Sequence, residues 1–189
     1  GPGPYYERPF FDLPGASFLF LSMYDTHSIM ERKNPAAVIA AFRDAFPPTD
    51  RNVGLVVKIN NFDDREGEKL RALAGDHKNI YLIDRTLTRY EVDSLLACCD
   101  CFVSLHRSEG FGLPIAEAMA LGKPVIATYW SGNVDFMDES CAACVDYKIC
   151  ELGRAHGPYD AHQRWAGPSL ERAARWMGAL QAEQATARR

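Results

Sequence analysis

The stretch from Ser104 to Thr128, SLHRSEGFGLPIAEAMALGKPVIAT, decides the fold. It opens in the tail of an apolar run, Asp100–Leu105, which reads as a strand. A polar turn with two glycines follows, and then Pro114 stands where the first turn of a helix has no use for an N–H. Gly122 stands where such a helix would stop, so the spacing predicts a helix over Pro114–Leu121. Pro124–Thr128 returns to β-branched and apolar residues and reads as the next strand. A strand, a helix and a strand in this order describe a crossover between parallel neighbours.

The same alternation extends outward in both directions. Upstream, Ser17–Met23 (SFLFLSM) is a buried strand. Asn34-Pro35 reads as an N-cap with proline at the first helical position, opening PAAVIAAFRDAF with Val38, Phe42 and Ala45 on one face; Pro47-Pro48 ends it. Val53–Ile59 is a second strand, Asp64–Ala74 a helix and Ile80–Ile83 a third strand. Thr88-x-x-Glu91 is a capping box for a helix carrying Val92, Leu95, Leu96 and Cys99. Downstream, Ala142–Val145 is a sixth strand and Pro168–Ala185 a terminal helix. Near-continuous apolar strands alternating with helices predict an α/β, Rossmann-like, doubly wound and mostly parallel sheet of about six strands, with helices on both faces. Ligands then bind outside the carboxyl ends of the strands.

A chain of 189 residues, 47% hydrophobic and 24% charged, is enough for one sizeable core and too apolar for disorder. Residues 5–189 are expected to form a single domain, with Gly1-Pro2-Gly3-Pro4 an expression scar. A net charge of −4 argues against a nucleic-acid partner. No apolar run is long enough to span a bilayer, and no signal peptide is visible. Six cysteines include Cys98-x-x-Cys101 and Cys141-x-x-Cys144, with Cys99 and Cys150 besides. Their apolar surroundings favour buried core thiols over a metal site, and free thiols fit a reducing cytoplasm.

Polar groups gather after each strand. Tyr24, Asp25, His27 and Ser28, then Glu31, Arg32, Lys33 and Asn34, follow the first; Lys58, Asn60 and Asn61 end the second. Asp84, Arg85 and Thr86 follow the third, His106, Arg107, Ser108 and Glu109 the fourth, and Tyr129–Asn133 the fifth. Gly110 and Gly112 let backbone N–H groups approach a ligand, and the helix start at Pro114 adds its positive end, which makes an anion site. A third glycine for a dinucleotide fingerprint is missing, as is the lysine-serine pair of a P-loop. Glu117, in the first turn of that helix, suits a vicinal diol or simply complements the dipole. Lys33, Lys58, Arg85 and Arg107, each taken alone, read more readily as surface charges; their convergence on one sheet edge is what favours a site.

With these residues in place, Ser104–Thr128 resembles the donor-binding motif of family-4-type retaining glycosyltransferases of the GT-B fold, including the E-x7-E pair Glu109 and Glu117. ERKNPAAVIAAFRDAF is similar to the segment after the first strand of that lobe. Tyr159–Met177, with Trp165-Ala166-x-Pro168, is similar to the end of the C-terminal lobe in bacterial polysaccharide transferases, and the D-x-x-S…RKNP pattern after the first strand is similar to that of a subset of O-antigen and capsule transferases. The resemblance implies a C-terminal lobe that binds a nucleoside-diphosphate sugar, with the N-terminal acceptor lobe outside this chain. It implies ribose on Glu117, donor-sugar hydroxyls on Glu109, and sugar and diphosphate along Gly110, Phe111, Gly112 and Leu113. Lys33 would reach the diphosphate, and Asp84–Leu87 (Arg85, Thr86, Leu87) would border the base, with His106 and Arg107 completing the donor site. The Gly-Arg common after the first strand is replaced by Ser22-Met23-Tyr24-Asp25, which leaves Lys58 or Arg32 as substitutes for that arginine.

The resemblance further implies retaining hexosyl transfer with Glu109 and Lys33 as catalytic groups. No DxD-like motif stands out, so no metal is expected; GDP-mannose is the favoured donor and a saccharide or lipid-linked saccharide the acceptor. The setting it implies is cytoplasmic, with peripheral attachment to the inner face of the plasma membrane as a further expectation. Two other functions fit the same fold: a nucleotide-sugar 2-epimerase and a non-catalytic nucleotide-sugar-binding module. The lobe alone is expected to bind donor without transferring its sugar.

Overall fold

A computed structural model describes residues 4–61 and 64–187; residues 1–3, most of the expected N-terminal scar, lie outside the described residues. Six strands form one sheet: β1 (Phe18–Asp25), β2 (Val53–Asn60), β3 (Ile80–Ile83), β4 (Cys101–Ser104), β5 (Val125–Thr128) and β6 (Ala143–Val145). Their order is β3-β2-β1-β4-β5-β6 and every pairing is parallel, with Phe20 level with both Leu55 and Cys101.

The pleat sorts each strand between two cores. Phe18, Phe20, Leu55, Val57 and Val103 face a layer built from α2 (Pro35–Ala45), α3 (Asp64–Ala74) and α6 (Leu170–Ala187), through Val38, Phe42, Leu70 and Met177. Leu19, Leu21, Val56 and Phe102 face α4 (Arg89–Cys98) and α5 (Leu113–Ala120), through Leu95, Leu96, Ile115 and Ala118. Burial on both faces explains why these strands read as continuous apolar runs. The reversal of strand order between β1 and β4, with crossovers leaving to opposite faces, opens a crevice at the carboxyl edge.

The capping box forms as expected: the Thr88 side chain accepts from the Glu91 N–H and the Glu91 carboxylate accepts from the Thr88 N–H. Asn34 is a correction. It is not a side-chain cap; it sits in the left-handed region at φ 56° and ends a one-turn helix, α1 (Met30–Lys33), as α2 begins. Its amide donates instead to the Leu105 carbonyl at 2.9 Å. Pro168 does not open the terminal helix, because it closes β8 (Arg164–Pro168), which pairs antiparallel with β7 (Tyr147–Glu151) in a hairpin apart from the main sheet. Ser169 takes the capping role, its hydroxyl accepting from the Arg172 N–H at 3.2 Å.

All six cysteines are free thiols. Cys99, Cys101 and Cys144 are buried, Cys98 and Cys150 half-buried, and Cys141 is exposed, so the expectation of core thiols holds for some and not for Cys141. Burial raises the Cys101 thiol strongly and Cys144 to about 11. Among the described residues no group of three or more His, Cys, Asp or Glu is placed to hold a metal, and no helix is long and apolar enough to cross a membrane.

Phe42 packs between Phe20 and Phe46, at ring distances of 6.2 and 5.2 Å, and is fully buried. Phe42→Ala should cost about 3–5 kcal/mol, the range for an emptied aromatic site, measured as a lowered midpoint in urea at unchanged slope.

Candidate functional site

The crevice between β1 and β4 is closed by one carboxylate and two cations. Glu109, with its side chain 9% exposed, accepts from the Lys33 ammonium and lies 3.7 Å from Arg32 Nη1. Arg32 also donates to the Ser108 carbonyl at 2.9 Å, while the Arg107 N–H donates to the Arg32 carbonyl at 2.8 Å. The residues that meet here lie 76 positions apart in the chain. Strand adjacency brings them together, and α1 turns both cations toward the loop after β4.

The loop itself is shaped from behind by the turn after β5. The Ser131 hydroxyl donates to the Glu109 carbonyl at 2.6 Å and accepts from the Glu109 N–H at 3.2 Å; the Gly132 N–H adds a bond to the same carbonyl at 3.2 Å. Gly112, at φ 84°, precedes α5, and Phe111 and Leu113 flank it with their side chains more than half exposed. Phe111 rests on Phe136 at 4.9 Å. Ser131 and Gly132 carried no functional signal in the sequence beyond lying at a strand end. A Cβ on Gly132 would sit 1.8 Å from the Gly110 carbonyl oxygen and 3.0 Å from Phe111 Cα, both backbone atoms that cannot yield alone.

Glu117 does not fall in the first turn of α5 as expected, because the helix begins at Leu113; it lies one turn along and receives Arg89, from the first turn of α4, at 2.7 Å, while Arg89 also reaches Asp93 at 2.8 Å. Donating to both carboxylates holds the Arg89 guanidinium firmly charged. Arg89 was not singled out in the sequence, and no local spacing connects it to Glu117.

Several expected donor-site residues are placed elsewhere. Lys58 is fully buried, its ammonium donating to the Ile59 carbonyl and to Asn60 Oδ1, because β2 is central and packed on both faces. His106 is fully buried too, with one ring nitrogen on the Trp130 carbonyl at 3.0 Å and the other on Ser104 Oγ at 3.1 Å. Burial lowers its pKa, so the ring is a neutral tie between β4 and the turn after β5. Leu87 belongs to the core under α4, whereas Thr86 is exposed. Arg85 lies over the Phe10 ring at 5.0 Å and bonds the Phe10 carbonyl at 3.2 Å, tying the N-terminal segment to the end of β3. Arg107 lines a neighbouring cleft between α1 and the β7–β8 hairpin.

Residues 24–141 match the family model described as glycosyl transferases group 1. The chain belongs to that family. No curated protein sequence matches it. Its fold is that of WaaG, a glycosyltransferase involved in lipopolysaccharide biosynthesis, at 19% identity and a TM-score of 0.66, over 93% of this chain and 40% of WaaG. The C-terminal domain of LpcC, a group 1 family protein from Francisella tularensis, aligns at 25% identity and a TM-score of 0.58, over 74% of this chain and 72% of that domain. HepE from Anabaena, solved with UDP-glucose, aligns at 20% identity and a TM-score of 0.54, over 65% of this chain and 33% of HepE. The chain thus spans less than half the length of WaaG or HepE, and its architecture is that of a GT-B C-terminal domain.

Gly132→Ala should displace the Gly110–Phe111 turn while the remote core stays intact. The expected result is a weakened response to nucleotide ligands with only a modest fall in melting temperature; an unaltered ligand response would show that Gly132 does not shape the loop.

Lys58 generates a prediction about pH. Burial lowers its ammonium from 10.5 to about 8, against the opposing pull of Asp25 and Asp84. Below about pH 8 both folded and unfolded chains are protonated here, and the cost of burying the charge is fully present. Between about pH 8 and 10.5 the unfolded chain binds the extra proton, so this group makes stability rise with pH. Lys58→Met lacks that slope. Its stability relative to the parent should therefore fall by up to about 3 kcal/mol across the window, as read from urea midpoints at both ends.

Proposed function

We propose that this chain is the donor-binding lobe of a retaining hexosyltransferase that takes a nucleoside-diphosphate sugar and builds a bacterial surface polysaccharide. The acceptor, a saccharide or lipid-linked saccharide, would be presented by a second, N-terminal lobe. The observation that carries this function is the meeting of Glu109, Lys33 and Arg32 at the mouth of the crevice, beside the glycine turn that opens α5.

In such a transfer the bond between the anomeric carbon and the diphosphate oxygen breaks while a bond to the acceptor oxygen forms on the same face. The acceptor's proton passes to the departing phosphate, so no protein nucleophile is required. Negative charge grows on the diphosphate, and Lys33, Arg32 and the start of α5 are the groups on this edge suited to stabilise it. Glu109 would accept from donor-sugar hydroxyls and Glu117 from the ribose diol. Arg32 takes the part of the absent arginine after β1, since it stands beside Lys33 and Lys58 is enclosed. GDP-mannose remains the favoured donor, at the cytoplasmic side of the membrane and without a required metal.

A thermal-shift panel of UDP, GDP, dTDP and ADP tests the lobe assignment: one or more should raise the melting temperature, and no response to any would sink it. Glu117→Ala should weaken the responding nucleotide by roughly 1.5–3 kcal/mol, or about 10–150-fold. A 2′,3′-dideoxy analogue should lose affinity in the parent but little more in the variant. Glu109→Gln should spare the nucleoside diphosphate and harm the intact nucleotide sugar; an equal loss for both would remove Glu109 from the sugar.

A further inference from the structure

The β7–β8 hairpin lies outside residues 24–141 that match the family, yet it is built onto the site. The Ala166 N–H donates to the Arg107 carbonyl at 2.9 Å, and Tyr147 packs on Trp130 at 5.0 Å. Between the hairpin and α1 lies a cleft of about 220 Å³, lined by Glu31, Arg107, Glu151, Arg154 and His156 over the buried Trp165. His156 and Tyr159 both pack against the Trp165 ring, at 5.5 and 5.4 Å. Glu31 lies two residues before Lys33 and Arg107 two before Glu109, so the loops that make the donor crevice also make this wall.

Arg107 is the informative side chain. Its Nε is buried without a hydrogen-bond partner, and its guanidinium makes no ion pair among the described residues. Two carboxylates line the same cleft, yet neither pairs with it: Glu31 lies 3.9 Å from His156 Nδ1, and Glu151 is exposed. A buried unpartnered donor is costly, and a planar guanidinium is matched by the paired oxygens of a carboxylate or phosphate. Arg154 adds a second cation without a partner in the described residues. Glu31 and Glu151 disfavour a highly charged guest and can accept from sugar hydroxyls.

We infer that this cleft is a subsite for a phosphate or carboxylate group carried on a sugar that enters the crevice. It rests on the donor-lobe function proposed above and extends it, since it makes the substrate of this enzyme an anionic saccharide. The anion has two possible carriers, the acceptor sugar and the donor sugar.

Titration calorimetry on this chain separates them. Glucose 6-phosphate, glucuronate and glucose are titrated into the protein with and without saturating UDP or GDP, and UDP-glucuronate is compared with UDP-glucose. If the acceptor carries the anion, glucose 6-phosphate or glucuronate binds the nucleotide-saturated protein and glucose does not. If the donor carries it, UDP-glucuronate binds more tightly than UDP-glucose. In either case Arg107→Gln should remove at least about tenfold of the affinity for the anionic ligand. Arg107→Lys, which keeps charge without the fork, should recover only part of it. Arg154→Gln, on an exposed side chain, should weaken it severalfold without a folding defect. Equal binding of charged and neutral sugars, or anion binding indifferent to Arg107 and Arg154, would overturn the subsite. Failure of UDP and GDP to bind would instead strike the donor-lobe function, while binding of glucose 6-phosphate alone would still report on the cleft.

Discussion

The Glu109 carboxylate, received by Lys33 and flanked by Arg32, joins the two loops that the strand order brings together between β1 and β4. The chain leaves β1 toward one face of the sheet and β4 toward the other, so a gap opens at this edge between the helices that follow them. What spans it is polar: the Asn34 amide on the Leu105 carbonyl, the Arg107 N–H on the Arg32 carbonyl, and the ion pair itself. Asn34 must adopt a left-handed backbone for α1 to end and α2 to begin in so short a space. Asparagine tolerates that conformation better than most side chains. The position of Lys33, and with it the chemistry, follows from that turn.

The sheet and its helices were legible because burial on both faces leaves unbroken apolar runs, and proline, glycine and the Thr88–Glu91 box mark the ends. The β7–β8 hairpin was not. Its strands are short and half exposed, and a loop of twelve residues, 152–163, separates them, so neither period two nor a tight-turn pair announces it. Pro168 looked like a helix start by the same logic that was right at Pro35 and Pro114; Ser169, one residue on, was the better signal. At the site, spacing within one segment found Glu109, Glu117 and the glycine turn. The pairings Lys33–Glu109 and Arg89–Glu117 join distant segments, and only the topology reveals them. Charge type alone misjudged Lys58 and His106, since a strand end can bury its polar residues as readily as it presents them.

Both carboxylates at the crevice already hold cations: Glu109 holds Lys33, and Glu117 holds Arg89. These pairs keep an otherwise costly group of part-buried charges neutralised when no ligand contributes. They also set the terms on which a nucleotide sugar would enter. A diphosphate would compete with Glu109 for Lys33, and Arg32, 3.7 Å from Glu109 Oε2, would remain beside the carboxylate as its counter-charge. Glu109 is then released to accept from sugar hydroxyls, which are neutral donors and cannot compete for it while the ammonium is in place. A ribose diol would meet the same condition at Glu117, where Arg89 keeps Asp93 as a second partner and need not be stranded. On the proposed function, binding of a diphosphate would thus free the carboxylate that the donor sugar needs. The proposed phosphate and sugar contacts would then be coupled through one lysine, so a ligand lacking either part would leave one of the two exchanges incomplete.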